Sequence, residues 1–373
     1  MFKNTHIWLP QYMKQSMNRL FRPIRAPKPV HVMFCFVDHF EPEWADADDG
    51  LQELRVTEWV EKYPPIAEKH KDGDGCYPKH SFFYPIEVYQ EHHVSRLAEL
   101  CRQGFGEVEV HLHHDRDSAI DMKRKLEEGK ANLAKHGLLG KDRSGNIRYG
   151  FIHGNWALNN SRPDGRWCGV NNEGTVLKRT GCYADFTMPS APSNTQTSKI
   201  NGIYYESGDP LMPKAHDRGD DVCVRENGKW MVEKGEAEEG RLMIIQGPLC
   251  LNWKKAKFIF PRIENGDITG ANPPSGIRVD LWIQQHIHVK GREDWICVKV
   301  HTHGAQEGNI AVLLHGSLDR MFEYLENKYN DGKNYKLHYV SAREMYNIIK
   351  AAEAGETGDP GEYRDYLIKE NIK

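Results

Sequence analysis

Hydrophobic and polar residues alternate most clearly from Glu107 onward. Glu107, Glu109, His111 and His113 fall on one side of an extended segment, and Val108, Val110 and Leu112 on the other. This predicts a strand with an apolar back and a front that ends in imidazoles. Val30 to Val37 is a nearly unbroken apolar run, as a strand buried on both faces requires, and polarity returns at Asp38-His39-Phe40-Glu41-Pro42. Further strands are expected at Ser81–Tyr84, Tyr149–His153, Cys182–Phe186, Leu242–Gln246, Lys257–Pro261, Trp295–His301 and Leu337–Val340. Between them, 3.6-residue patterning predicts helices over Glu87–Arg102, Asp115–His136, Asn172–Arg179, Arg278–His288 and Leu318–Tyr329. A last helix is announced by a capping box, Ser341-Ala342-Arg343-Glu344. Strands alternating with helices imply an α/β fold with a mainly parallel sheet or barrel.

Thr187 to about Gly240 is polar and rich in Gly, Asp, Asn and Pro, and reads as an insertion into one domain spanning 30–373. Residues 1–29 read as an N-terminal arm. Within it, 6–25 are amphipathic, with Met13, Met17 and Leu20 on one helical face and Lys14, Arg19, Arg22 and Arg25 nearby. Packing on the domain is the expectation, with contact to a membrane surface as the alternative. The formal charge of −3 over 373 residues lacks the basic excess of a dedicated nucleic-acid binder. The eight cysteines are scattered without a C-x-x-C pair and read as reduced thiols. With no apolar leader in view, a cytoplasmic location is expected.

In α/β folds, function gathers at the carboxyl ends of strands. Four predicted strand ends carry reactive groups: Asp38-His39, His111 through Asp115, His153-Gly154-Asn155-Trp156, and His301-Thr302-His303. Each has an ordinary structural use, Asp38 as a turn or capping residue and the histidines as solvated strand ends. Four together in one chain point to a shared site. Imidazole and carboxylate are the donors that zinc and similar divalent ions select.

The order of these segments resembles that of the polysaccharide deacetylases of the NodB-homology group. Phe36-Val37-Asp38-His39-Phe40 stands where that family has T-F-D-D-G, and His80-Ser81-Phe82-Phe83 is similar to its A-T-F-F strand. Glu107 through Asp115 follows the spacing of E-I-x-x-H-x-x-x-H, and Val298-Lys299-Val300-His301 resembles the closing L-x-L-H. Phe151 through Trp156 lies where a substrate-facing R-x-P-Y belongs, without its arginine, and Gly181 through Asp185 resembles the step that follows. The resemblance implies a distorted (β/α) barrel of about seven strands and a hydrolase that deacetylates an N- or O-acetylated carbohydrate or glycolipid.

It further implies a divalent metal, zinc first, held by His39, His111 and Asp115. His39 replaces the family's second carboxylate, and Asp115 its second histidine. His113, His114 or Glu41 are alternative ligands, and His303 a supporting neighbour. Asp38 would take a proton from water and His301, as an imidazolium, would protonate the leaving group. His153, Asn155, Trp156 and Asp185 would meet substrate. Hydrolysis of another glycan or C–N bond, or carbohydrate binding without turnover, are the alternatives. An intracellular step of glycan assembly, peripheral to the inner face of a membrane, suits the class.

Overall fold

The computed structural model describes residues 3–21, 24–225, 241–257 and 260–372. Helix α1 (Leu9–Phe21) precedes the run β1 (Val30–His39), α2 (Asp49–Ala67), β2 (His80–Pro85), α3 (Glu91–Arg102), β3 (Gly106–Leu112), α4 (Ala119–Lys135), β4 (Gly140–Asp142) and β5 (Ile147–His153). Then come α5 (Glu173–Thr180), β6 (Cys182–Asp185), β7 (Ile203–Glu206), β8 (Gly219–Asp221), β9 (Met243–Ile245), β10 (Cys250–Lys257) and β11 (Phe260–Glu264). The chain closes with α6 (Gly276–Gln284), β12 (Trp295–Thr302), α7 (Glu307–Val312), α8 (Leu318–Tyr329), β13 (Tyr335–Tyr339), α9 (Ala342–Glu353) and β14 (Ile368–Lys369).

The main sheet runs β12-β1-β2-β3-β5-β6-β9-β7-β8, parallel from β12 through β9, with β7 and β8 antiparallel and β13 parallel to the start of β1. The fold is therefore mixed α/β about a mostly parallel sheet. Among the described residues the strand path does not return on itself, so the expected barrel closure is not seen in the pairing. Strand alternation divides the apolar residues between two cores. Val32, Phe34 and Phe36 of β1, with Val108, Val110 and Leu112 of β3, face the layer of α2, α3, α4 and α8. Met33, Cys35 and Val37 face the other way, toward Met345, Ile348 and Ile349 of α9.

Helix α9 begins with the expected capping box: Ser341 accepts from Glu344 N, and the Glu344 carboxylate accepts from Ser341 N. Its first turn is tied to the early residues of β2 and β3, through Ala342 N to Ser81 and Arg343 N to Glu107. The carboxyl ends of these strands are left to the histidines.

Some elements depart from the sequence reading. The sequence reading assigns no helix to 49–67, yet α2 forms there, capped by Asp48 and burying Val56, Trp59, Tyr63 and Ile66, with Pro64 and Pro65 inside its last turns. The single strand expected at 257–261 belongs to a hairpin, β10–β11, and residues 258–259 lie outside the described residues. In the stretch read as an insertion, β7 and β8 join the main sheet, while 226–240 lie outside the described residues.

The N-terminal arm is anchored by Trp8, fully buried against Ala191, Ile200, Leu249 and Leu251. Beyond it α1 leaves Met13, Met17, Leu20 and Phe21 exposed. Arg22 lies outside the described residues. Among the described residues, no helix is long and apolar enough to cross a membrane.

Candidate functional site

Three strand ends each present a pair of ligand-type side chains two residues apart: His39 and Glu41, His111 and His113, His301 and His303. A spacing of two puts both members of a pair on one face of a strand or its immediate extension. Parallel pairing of β12, β1, β2 and β3 brings the three pairs together. The His39 and His303 rings stack with centroids 4.5 Å apart, His39 meets His111 edge-on at 5.0 Å, and His301 lies 6.1 Å from His39. Two sets of donors lie close enough to share an ion: His39, Glu41 and His303, and Glu41, His111 and His113. Glu41 belongs to both.

The hydrogen bonds of His111 fix its tautomer. Its Nδ1 lies 2.9 Å from the Ile152 carbonyl, which can only accept, so Nδ1 carries the proton. Burial, and then the neighbouring His113, lower its pKa and favour the neutral ring. A neutral ring then turns a lone pair from Nε2 toward Glu41 Oε1, 3.0 Å away. That contact is relieved by a cation between the two atoms, a proton or a metal ion. A ring nitrogen held on a backbone carbonyl is the usual support of a metal-bound histidine.

His113 is the local exception. Although burial opposes it, the Glu41 and Glu87 carboxylates raise its pKa to about 10, so it is an imidazolium clamped by Glu87 at 2.7 Å and Glu41 at 3.3 Å. Glu41 is correspondingly held well below the carboxylate range, with burial opposed by His111 and His113. Glu43 moves the other way, to about 7, pushed up by burial and by Glu41 and Glu87. Burial, and then the neighbouring Lys299, hold the His301 pKa well below its ordinary value, so the imidazolium expected from sequence is not its resting form here. Its Nδ1 is buried without a hydrogen-bond partner, and its Nε2 lies 3.9 Å from Asp267, held alongside by a backbone bridge.

Two residues expected in the site are elsewhere. Asp38 adjoins His39 on a regular strand, so its side chain points to the opposite face, into the helix layer. There it is fully buried and bonded to His80 Nε2 at 2.8 Å and to Gly304 N at 2.6 Å. It holds the turn that carries His303 and offers no oxygen to the cluster. Asp115 lies beyond the end of β3, exposed, and accepts from Trp167 N. It stands in neither donor set, and Glu41 takes the carboxylate place expected for it.

The groups expected to meet substrate also divide. Trp156 stands over the cluster, 5.8 Å from His39 and 5.5 Å from His303. It is turned there by left-handed backbone at Asn155 (φ 58°) and Trp156 (φ 56°), a conformation that bulky residues rarely adopt. Asn155 is partly exposed beside it. Asp185 is fully buried and accepts from Thr187, whose hydroxyl in turn accepts from His153 N at 2.9 Å. It steadies the chain below the site and does not reach it. His114 and His153 turn away from the cluster, toward Cys168 and Glu173.

Sequence reasoning missed Glu43, Glu87, Asp267, Cys168 and Glu173. For Glu87 and Asp267 no spacing signal exists, since one arrives from the single 3-10 turn Ile86–Val88 and the other from an irregular segment.

No family model matches the chain, and no curated protein matches it. Among solved structures, a chain from Mycobacterium smegmatis assigned provisionally as a polysaccharide deacetylase is similar, at 13% identity and a TM-score of 0.46, over 90% of this chain and 96% of that one. The likeness concerns the path of the chain alone.

Proposed function

We propose that this protein is a metal-dependent hydrolase that removes an acyl group from an N- or O-acetylated carbohydrate. The observation that carries the reading is the meeting of Glu41 with His39, His111 and His303, in which the Nε2 of a neutral His111 faces a carboxylate oxygen. A divalent ion held there, zinc by its donor types, would polarise the acyl carbonyl and acidify a water.

The chain's own groups supply the rest. His301 takes the proton of the attacking water at its unpartnered Nδ1 and returns it to the leaving nitrogen or alkoxide. Asp267, beside Nε2, steadies the imidazolium formed in between. His113, held between Glu87 and Glu41, orients the Glu41 carboxylate. Trp156 forms an apolar wall on which a sugar ring can lie.

The test is metal content and acetate release from a panel of acetylated sugars, for the wild type and His111→Ala. The variant should lose bound ion and turnover together while keeping its circular dichroism. Full activity with retained metal would overturn the ligand assignment. Release of reducing sugar without acetate would favour the second reading, glycan hydrolysis at the same cluster.

A further inference from the structure

The run His113-His114 divides between two centres, and the second has no part in the reaction proposed above. His114, just past β3, His153, at the end of β5, Cys168, in the following loop, and Glu173, in the first turn of α5, are all buried. One donor atom from each lies within 4.8 Å of all the others. Glu173 is the hub: its Oε1 lies 3.0 Å from His114 Nε2 and 3.5 Å from His153 Nε2, and its Oε2 lies 3.3 Å from Cys168 Sγ. The edges of a zinc tetrahedron built from imidazole, carboxylate and thiolate are about 3.3–3.7 Å, given metal–ligand bonds of about 2.0–2.3 Å.

Protein groups satisfy this cluster only in part: Asn159 N donates to Glu173 Oε2 at 2.6 Å and Asp117 Oδ2 lies 3.3 Å from His114 Nδ1, while three features leave a place for a cation. Glu173 is fully buried, and among the described residues no lysine or arginine pairs with it. An ionised carboxylate so placed needs a cation. His153 donates its Nδ1 proton to the Gly154 carbonyl, so its buried Nε2 presents a lone pair to Glu173 and has no hydrogen-bond partner. Cys168 Sγ lies 3.2 Å from Asn160 N and 3.4 Å from Val170 N, two donors directed at the sulfur. Backbone donors of that kind stabilise a coordinating thiolate.

The geometry points to a second, structural metal site, in which His114, His153, Cys168 and Glu173 hold one zinc ion. Four protein ligands close the coordination sphere, as in a structural and not a catalytic site. On binding, the Cys168 thiol loses its proton to solvent and the thiolate becomes a ligand. The ion ties together β3, β5 and α5 across the irregular stretch 154–172, where Asn155, Trp156, Asn159, Asn160 and Trp167 all take positive φ. It thereby fixes the loop that sets Trp156 over His39 and His303.

The test uses the full chain loaded with cobalt(II) in place of its native ion. The wild type should show a thiolate-to-cobalt charge-transfer band and intense tetrahedral d–d absorption. Cys168→Ser should lose the band and about one equivalent of metal. His111→Ala should keep the band, because the cluster around Glu41 contains no cysteine, so the two centres fail or succeed separately. If Cys168→Ser does not fold, the wild-type spectrum decides the matter. A wild-type chain without the band, or a folded Cys168→Ser variant with unchanged spectrum and metal content, overturns the site.

Discussion

Asp38 separates two accounts of this site, because one makes it the base that activates water and the other makes it a support for the His303 turn. Its carboxylate is fully buried and makes two hydrogen bonds, to His80 Nε2 at 2.8 Å and Gly304 N at 2.6 Å. Trp59 grips the same turn through Gly304 O at 2.8 Å. Asp38→Ala strands a buried ring nitrogen and a buried amide, a loss on the order of 3–5 kcal/mol for removing one partner of such a pair. Asp38→Asn keeps an oxygen for Gly304 N and should cost about 1–2 kcal/mol. Denaturant unfolding of both variants, with metal analysis and the pH profile of acetate release, measures the difference. We expect stability to fall in that order, with metal content following it in the alanine variant. The asparagine variant should keep kcat within roughly tenfold and a pH profile of unchanged shape. An asparagine variant with wild-type stability and metal, but with kcat lower by roughly 10²–10⁴, would show Asp38 to be the base after all.

Two further predictions concern the same cluster. In metal-free protein, Glu41, with its usual value near 4.5 lowered by His111 and His113, stabilises the fold above that pH and loses its effect as pH falls. His113, raised from 6.5 to about 10, stabilises below 6.5 and loses its effect as pH rises toward 10. Glu41→Gln should therefore flatten the acid edge and weaken the alkaline edge of a stability–pH curve; an unchanged His113 titration by NMR in that variant would refute the pairing. Gly154→Ala puts a methyl group into the His113 ring. It should cost about 1–3 kcal/mol of overpacking and displace His113 from Glu41, so a variant with wild-type stability and an unmoved His113 resonance contradicts the packing described.

The alternation that predicted Glu107, Glu109, His111 and His113 on one face was legible because Val108, Val110 and Leu112 pack in the apolar core while the opposite face carries polar groups with hydrogen-bond partners. Glu109 does meet Tyr183 and Gly150 N on that face. The same period of two would have separated Asp38 from His39 and joined His39 to Glu41, had it been applied through the end of β1. Asp115 was misplaced for another reason. Strand geometry ends at Leu112, and the turn through Arg116, at φ 49°, carries the carboxylate to Trp167. Cys168 and Glu173 were invisible because one lies in an irregular loop and the other reads as an ordinary acid at a helix start. The open strand path depends on pairings far apart in sequence.

The adjacency of His113 and His114 bears on how relatives of this chain are to be found. If both proposed centres hold, one peptide bond joins residues of separate centres, and an insertion or deletion within His111–His114 would unseat a donor in each. Proteins built on the same plan should carry the pattern H-x-E, then H-x-H-H, a lone His, C-x4-E and finally H-x-H, with free spacing between the segments and none inside them. A sequence that kept H-x-E and the last H-x-H but lacked C-x4-E would have to hold the loop by other means.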